Sequence, residues 1–307
     1  MSNARMSPSA NDLSRGWRRE GLEDQARFPG GQGSGLALNL SAPSARVGLS
    51  VALICQDEAL RLPAWLRAVA TVADEIVAVD SGSRDGTLAI LRGGGARVFQ
   101  RAWSGYSDQR NFAESRCRGQ LILFLDADER PDVGLCAALN RLKAAPPPSI
   151  AAWELSTKVH FFGRFLRHGG FFPEHKLRLY RRGQGHWVPR QVHEHLEVSG
   201  TVARLEGGFL EHYSYSTVGQ YLRRLERYSA EAAREMHGAG LRRGGLAAIS
   251  HAGWTFFNRY LLRLGFLDGF EGYLAARLEA IYTLAKYARL RELGRQGTGR
   301  GRAPGGR

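Results

Sequence analysis

The 307-residue sequence predicts an α/β fold, a parallel sheet covered by helices on both faces, extended by antiparallel strands and C-terminal helices. Three observations carry this. Short, nearly all-apolar runs of strand length alternate with helix-length segments between residues 49 and 143. Polar groups gather at the ends of those runs, where such sheets bind ligands. After the APPPS linker (145–149) the alternation stops and half-polar strand patterns take over.

Each element has its own reason. LSVALIC (49–55) is an apolar run with β character. EALRLPAWLRAVATV (58–72) has helical spacing, with Leu62, Trp65, Leu66 and Val69 on one side. EIVAVD (75–80) is a strand ending in an acid, and RDGTLAILRGGG (84–95) a helix stopped by glycines. ARVFQR (96–101) reads as a strand and YSDQRNFAESRC (106–117) as a helix. LILFLDAD (121–128) is a strand ending in acids. PDVGLCAALNRLK (131–143) is a helix with Pro131 in its first turn. AAWELST (151–157), KLRLYRR (176–182), VHEHLEV (192–198) and ARLEGGFLEHYSY (203–215) read as antiparallel strands and loops, and residues 217–237 and 246–290 as helical.

Composition narrows the class. With 43% hydrophobic residues the chain can bury a sizeable core, which excludes a wholly disordered or collagen-like protein. Cys55, Cys117 and Cys136 are far apart and form no CxxC, which argues against a disulfide framework and a cysteine zinc site and fits a reducing, cytosolic compartment. The net charge of +14 points to phosphate-bearing partners. Residues 1–47 contribute +2 and residues 289–307 +5, so about half of the excess lies in the body. Residues 1–47 read as a disordered leader without the apolar core of a secretory signal, and 294–307 as a disordered basic tail. No stretch is apolar for the 18 or so residues that a membrane span needs.

Four constellations carry chemistry. In LFLDADER (123–130), Asp126 and Asp128 point the same way if the chain stays extended. Two hard oxygen donors there suit Mg²⁺ or Mn²⁺ bridging a diphosphate; the plain alternative is a loop whose acids cap a helix. In VDSGSRDGT (79–87), Asp80 ends a strand and can accept from a nucleobase imide or a ribose hydroxyl. Ser81 opens a Ser/Gly turn that lets backbone approach a ligand, and Asp85 is expected to cap the next helix. Neither GxGxxG nor GxxxxGK[ST] occurs, which disfavours dinucleotide and P-loop binding. In VHEHLEV, His193 and His195 share one strand face and Glu194 the other, unless this is simply an exposed polar strand.

The fourth constellation, RHGGFFPEHKLRLYRR (167–182), gathers Arg167, His168, His175, Lys176, Arg178, Arg181 and Arg182 around aromatics. It suits pyrophosphate, a phosphorylated acceptor or membrane contact, or consists of solvated strand charges. Gly169 and Gly170 would let a ligand approach closely. Such a mixture also suits single-stranded nucleic acid, but the adjoining carboxylates argue against nucleic acid as a partner. Further on, Trp254, Phe256, Phe257, Tyr260, Leu261, Leu264, Phe266 and Phe270 are interrupted by Arg259 and Arg263. That pattern fits an amphipathic region (241–293) lying on an anionic membrane surface, or a stripe packed on the rest of the protein.

A strand entering Gln56-Asp57-Glu58, then VDSGSRDGT, SDQRNFA and LFLDADER, resembles family 2 glycosyltransferases with the GT-A fold. FFGRFLRHGGFFPEHKLRLYRRG, RQVHEHLEV, LEHYSYSTVGQYLRRLERYS and RLGFLDGFEGYLAARLEAIYTLAKYARL resemble, more narrowly, bacterial lipopolysaccharide-core β-glucosyltransferases acting on inner-core heptose. The likeness covers residues 48–291. It implies a GT-A domain over 48–240, a nucleotide-sugar donor (UDP-glucose is expected) and inversion at the anomeric carbon. It also implies a lipid-linked glycan acceptor and work at the inner face of the cytoplasmic membrane. Asp57 stands where relatives carry a longer Glu. The resemblance makes Asp57 a nucleotide contact, Asp80 the nucleobase acid, Arg110 a partner of the nucleotide or its phosphates, and Asp126 and Asp128 the ribose and metal acids. It makes Glu194 the base, with His193 its rival as base or as an additional metal ligand. Two other readings stand beside it: a polyprenyl-linked or capsular glycan as acceptor, and a non-catalytic basic module for nucleic acid or lipid.

Overall fold

The computed structural model describes residues 48–189, 195–215 and 217–299, with side chains described as far as Arg295. The leader read over 1–47, the end of the basic tail, and His193 and Glu194 lie outside the described residues.

The first half winds as expected: β1 (Leu49–Cys55), α1 (Leu62–Val69), β2 (Glu75–Asp80), α2 (Thr87–Gly93), β3 (Arg97–Gln100), α3 (Tyr106–Arg116) and β4 (Leu121–Phe124). The four strands are parallel, in the order β3-β2-β1-β4. Alternation along β1 sends Leu49, Val51 and Leu53 into a core with Leu62, Trp65 and Val69 of α1. Ala52 joins Ala113 of α3 in a second core on the other face. Both faces are therefore covered, which is why β1 and β2 are apolar almost throughout. α1 begins at Leu62 rather than at 58, because Pro63 fits only its first turn.

β4 also stops early. After Phe124 the chain turns instead of staying extended, with the Glu129 N–H donating to the Asp126 carbonyl at 2.9 Å. β5 (Glu129–Pro131) follows, then α4 (Val133–Ala144). Pro131 ends β5 instead of opening the helix, and Asp132 caps α4 by accepting the Leu135 N–H at 2.8 Å.

The second half extends the same sheet. β6 (Ile150–Phe161), β7 (Arg164–Phe165), β8 (Glu174–Arg181) and β11 (Thr201–Tyr215) continue it in the order β4-β8-β6-β11-β5, with β7 beside β6. β9 (Gly185–Val188) and β10 (His195–Val198) form a separate antiparallel pair. β8 is antiparallel to β4 and β6, as expected. β11 instead runs parallel to β6: β8 reverses the direction of β6, and the chain reverses again before β11.

α5 (Val218–Gly238), α6 (Gly245–Phe257) and α7 (Gly269–Gly299) close the chain. The continuous helical stretch expected over 246–290 is interrupted. A π turn (Asn258–Leu262), a left-handed Leu264 (φ 57°) and a 3₁₀ turn (Gly265–Asp268) fold α6 back on α7. α7 runs on into the segment read as tail, since extending a formed helix costs far less than starting one.

Gly169 and Gly170, both at positive φ, lie against this break. The Gly169 N–H donates to the Arg263 carbonyl at 2.7 Å, and a Cβ on Gly170 would meet Arg263 Nη1 at 2.3 Å. Arg259 Nη1 donates to the Gly169 carbonyl at 3.0 Å, and Asp268 accepts from the His168 N–H at 2.7 Å. Beneath them Phe161, Phe171, Tyr215, Tyr221, Leu278 and Tyr282 form a third core that joins α5 and α7 to the sheet.

Gly208 marks the tightest approach of β11 to α4. A Cβ there would lie 1.8 Å from the Leu135 backbone nitrogen. Gly208→Ala is expected to cost roughly 3 kcal/mol, seen as a lower urea midpoint at unchanged slope. An unchanged midpoint would mean that β11 does not press on α4.

Candidate active site

The strand order reverses at β1, so the crevice of this sheet opens where the carboxyl ends of β1 and β4 diverge. The loops after β1 and β2 are laced together beside it. The Asp57 N–H donates to Ser83 Oγ at 2.8 Å, and Asp57 Oδ1 accepts the Arg84 N–H at 2.7 Å. Asp57 adopts a left-handed conformation (φ 53°), which its short polar side chain tolerates. Asp80 is fully buried, and its carboxylate accepts from the N–H groups of Gly82 and Ser83, both at 3.0 Å, and from the Ser83 hydroxyl. Asp85 performs the expected capping from one residue further out: Gly86 is the N-cap, while Asp85 Oδ1 accepts the Thr87 N–H at 3.0 Å.

Three consecutive residues of α3 brace the crevice. Gln109 Nε2 donates to Ser81 Oγ at 3.2 Å, at the end of β2. Arg110 Nη2 donates to Asp126 Oδ1 at 2.8 Å, beyond β4, with its guanidinium 4.4 Å from the Trp187 ring and 5.1 Å from Phe124. Asn111 exchanges two hydrogen bonds with the Trp187 backbone in β9. Arg110 is itself buried, so its guanidinium faces Asp126 rather than open solvent.

The turn after β4 parts the two acids. Asp126 stays a quarter exposed, held by Arg110 on Oδ1 and by Arg178 Nη2 on Oδ2 at 2.9 Å. Glu129, wholly buried, accepts Arg178 Nη2 and Lys176 Nζ on Oε1, both at 2.9 Å. Its Oε2 accepts the Asp126 N–H at 3.2 Å. Lys176 Nζ also reaches His212 Nδ1 at 3.1 Å. His212 Nε2 stands 3.5 Å from Asp128 Oδ2.

Burial would raise both inner carboxyls. Arg178, Lys176 and His212 more than offset it and hold Glu129 well below the ordinary glutamate value. His212 and Arg61 likewise hold Asp128 below the ordinary aspartate value.

Whether these residues fit a divalent cation can be tested on their oxygens. Asp128 Oδ2 is buried and pairs loosely, with His212 Nε2 at 3.5 Å. Asp126 keeps an exposed edge beside it in the turn. No group of three or more His, Cys, Asp or Glu that could hold an ion occurs among the described residues. A complete protein cage is not required, because Mg²⁺ takes one or two carboxylates, substrate phosphate oxygens and water. The donors fit an ion that arrives with a diphosphate.

Ser81, Asp57 and Asp80 thus share one laced pair of loops, Asp126 and Asp128 belong to the neighbouring turn, and Arg110 reaches that turn from α3. His195 is described, its Nε2 pairing with Glu197 at 3.0 Å in β10. Glu129, His212 and Gln109 were not singled out from sequence, and Lys176 and Arg178 were read only as part of a basic patch. That patch is not one surface: Lys176 and Arg178 turn inward to the acids, while Arg181 binds the carbonyls of Pro146, Pro147 and Ile150. Two cations at i and i+2 within an apolar strand were the available signal for a buried acid opposite.

Residues 50–193 match the model of glycosyl transferase family 2. The chain is 29% identical over 256 residues to the lipopolysaccharide core biosynthesis glycosyltransferase LpsC of Rhizobium meliloti, across 80% of this chain and 92% of that protein. It is 27% identical over 259 residues to an uncharacterized glycosyltransferase of Rickettsia bellii, across 81% and 87%. Among solved structures it is similar to glucosyl-3-phosphoglycerate synthase from Mycobacterium tuberculosis, solved with Mn²⁺, UDP and glucosyl-3-phosphoglycerate. There the identity is 14% and the TM-score 0.40, over 70% of this chain and 88% of that one.

Removing Glu129 would leave Lys176 and Arg178 as buried charges stripped of a shared partner. Glu129→Ala is expected to cost about 3–5 kcal/mol, against less than half of that for the part-exposed Asp126→Ala, both read from urea unfolding. Equal costs would dismiss Glu129 as the hub. The stability supplied by Glu129 is present above pH 4.5, its ordinary value, and is lost as pH falls through its lowered native value. A stability–pH curve of Glu129→Gln should therefore be flatter on its acid side than that of the native chain.

Proposed function

We propose that this glycosyltransferase, whose residues 50–193 match family 2, moves glucose from UDP-glucose to a heptose of the lipopolysaccharide inner core. The transfer inverts the anomeric carbon. One observation carries the donor half of this reading: α3 ties the laced nucleotide-side loops to the acid turn through adjacent residues, Gln109 to Ser81 and Arg110 to Asp126. Nucleobase and diphosphate ends of one ligand then have neighbouring seats along the crevice. The likeness to LpsC supports the lipopolysaccharide-core acceptor.

In this mechanism a uracil imide takes the place of the Ser83 hydroxyl on Asp80, whose other contacts are backbone N–H groups. Asp57 keeps the two loops at their spacing. Asp126 serves the ribose side, and Asp128, with Asp126, would hold Mg²⁺ or Mn²⁺. When bound, the metal neutralises charge developing on the departing diphosphate. Arg110 and Arg178 fix the Asp126 carboxylate from both sides, so its position is set before the donor arrives. Glu194 takes the proton of the acceptor hydroxyl, with His193 the competing base; the oxygen attacks C1 opposite the leaving UDP. The protein works as a peripheral enzyme at the inner face of the cytoplasmic membrane. In keeping with this, no described helix is long and apolar enough to cross a membrane.

Thermal-shift titration with UDP, UDP-glucose, UDP-GlcNAc and GDP-mannose, each with Mn²⁺ or EDTA, tests the donor. Uridine nucleotides should raise the melting temperature only with metal, UDP-glucose most among the sugars. No shift with any nucleotide would defeat the reading. Asp128→Asn, nearly isosteric, should lower transfer at least about 100-fold in a chain that still folds, with a lower melting temperature because the fold favours the Asp128 charge. Full activity would remove Asp128 from the metal role.

A further inference from the structure

α7 packs on α5 and the third core, α6 packs on α7, and the outer side of the hairpin is left bare. Of the 19 large hydrophobic side chains exposed among the described residues, 13 lie between Leu246 and Leu284. They concentrate at the bend, where Trp254 is 57% exposed, Leu262 56%, Leu267 54% and Phe270 68%. Ring contacts join the two helices into one surface there: Phe256 stands 5.9 Å from Tyr273, and Arg277 lies 5.1 Å from the Phe256 ring. Further along α7 the exposed face ends in Arg291 and Arg295, which line a cavity of about 420 Å³ with Gly245 and Ala248 of α6.

Charge says what covers this face. Residues 241–295 hold eight Arg and one Lys against four acids. Two of those acids are buried in ion pairs, Asp268 with His168 and Glu279 with Arg259, and Glu271 pairs with Arg164. Arg259 and Lys286 are buried as well, which leaves exposed Arg242, Arg243, Arg263, Arg277, Arg291 and Arg295 beside one exposed acid, Glu292, so the exposed surface is apolar and basic. A second copy docked on the same face would set arginines against arginines. An anionic bilayer surface takes both features, apolar side chains below the headgroups and arginines among them.

We infer that the bend of the α6–α7 hairpin, centred on Trp254, Leu262, Leu267 and Phe270, is the element by which the protein docks on anionic lipid. The inference deepens the peripheral placement proposed above and rests on it for which membrane is met. It assigns the contact to a folded hairpin rather than to the basic tail alone.

Sedimentation of the full chain with phosphatidylcholine vesicles, with or without phosphatidylglycerol, tests it. No sugar nucleotide is present, so failure here leaves the donor titration to decide the transferase reading independently. The native chain should sediment with the anionic vesicles, less so at high salt. Trp254→Glu with Phe270→Glu should bind at least about tenfold more weakly, with an unchanged melting temperature because both side chains are mostly exposed. Leu262→Glu with Leu267→Glu provides a second variant with the same expectation. Unchanged binding in both variants would overturn the inference. So would a native mass in light scattering that doubles and reverts in the variants without any vesicle binding, since the face would then pair with itself.

Discussion

A carboxylate with no access to water must be paired, and Glu129 is such a carboxylate. Its partners come from elements far apart in sequence: Arg178 and Lys176 on β8, and the Asp126 N–H in the turn after β4. His212 on β11 extends the network to Asp128. Satisfying this one group therefore holds β4, β8 and β11 in register around the acid turn. Such burial is a poor way to gain stability, but it specifies geometry, because the network is satisfied in only one arrangement.

The rest of the crevice follows from that arrangement. Arg178 serves both Glu129 and Asp126, so the hub and the outermost acid move together. Arg110 approaches Asp126 from the opposite helix and is clamped against Trp187 and Phe124. Gln109 and Asn111 on either side of it tie the same helix to β2 and β9. A bound donor would find polar groups already oriented, which lowers the reorganisation required during transfer.

The C-terminal hairpin shows that an amphipathic segment need not choose between packing and exposure. The alternative of a stripe packed on the protein holds for Arg259 and Asp268, which are buried against the His168–Gly169 backbone. The exposed alternative holds for Trp254 and Phe270 on the same stretch. Helical periodicity alone cannot divide the two groups, because the π turn and the left-handed Leu264 reset the phase between α6 and α7.

Local pattern determined the alternating strands and helices from β1 to α4, since apolar runs between turn residues admit few other structures. It also placed Asp57, Asp80, Ser81, Asp126 and Asp128 at or just beyond the carboxyl ends of parallel strands, because polar residues begin where each apolar run stops. Tertiary structure alone decided the parallel pairing of β11 with β6, which depends on how many times the intervening chain reverses. It decided that the acid turn bends, so that Asp126 and Asp128 meet different cations. It decided, finally, that Lys176 and Arg178 face inward: a strand shows which residues share a face, but only the opposing element, here Glu129, shows which face is buried.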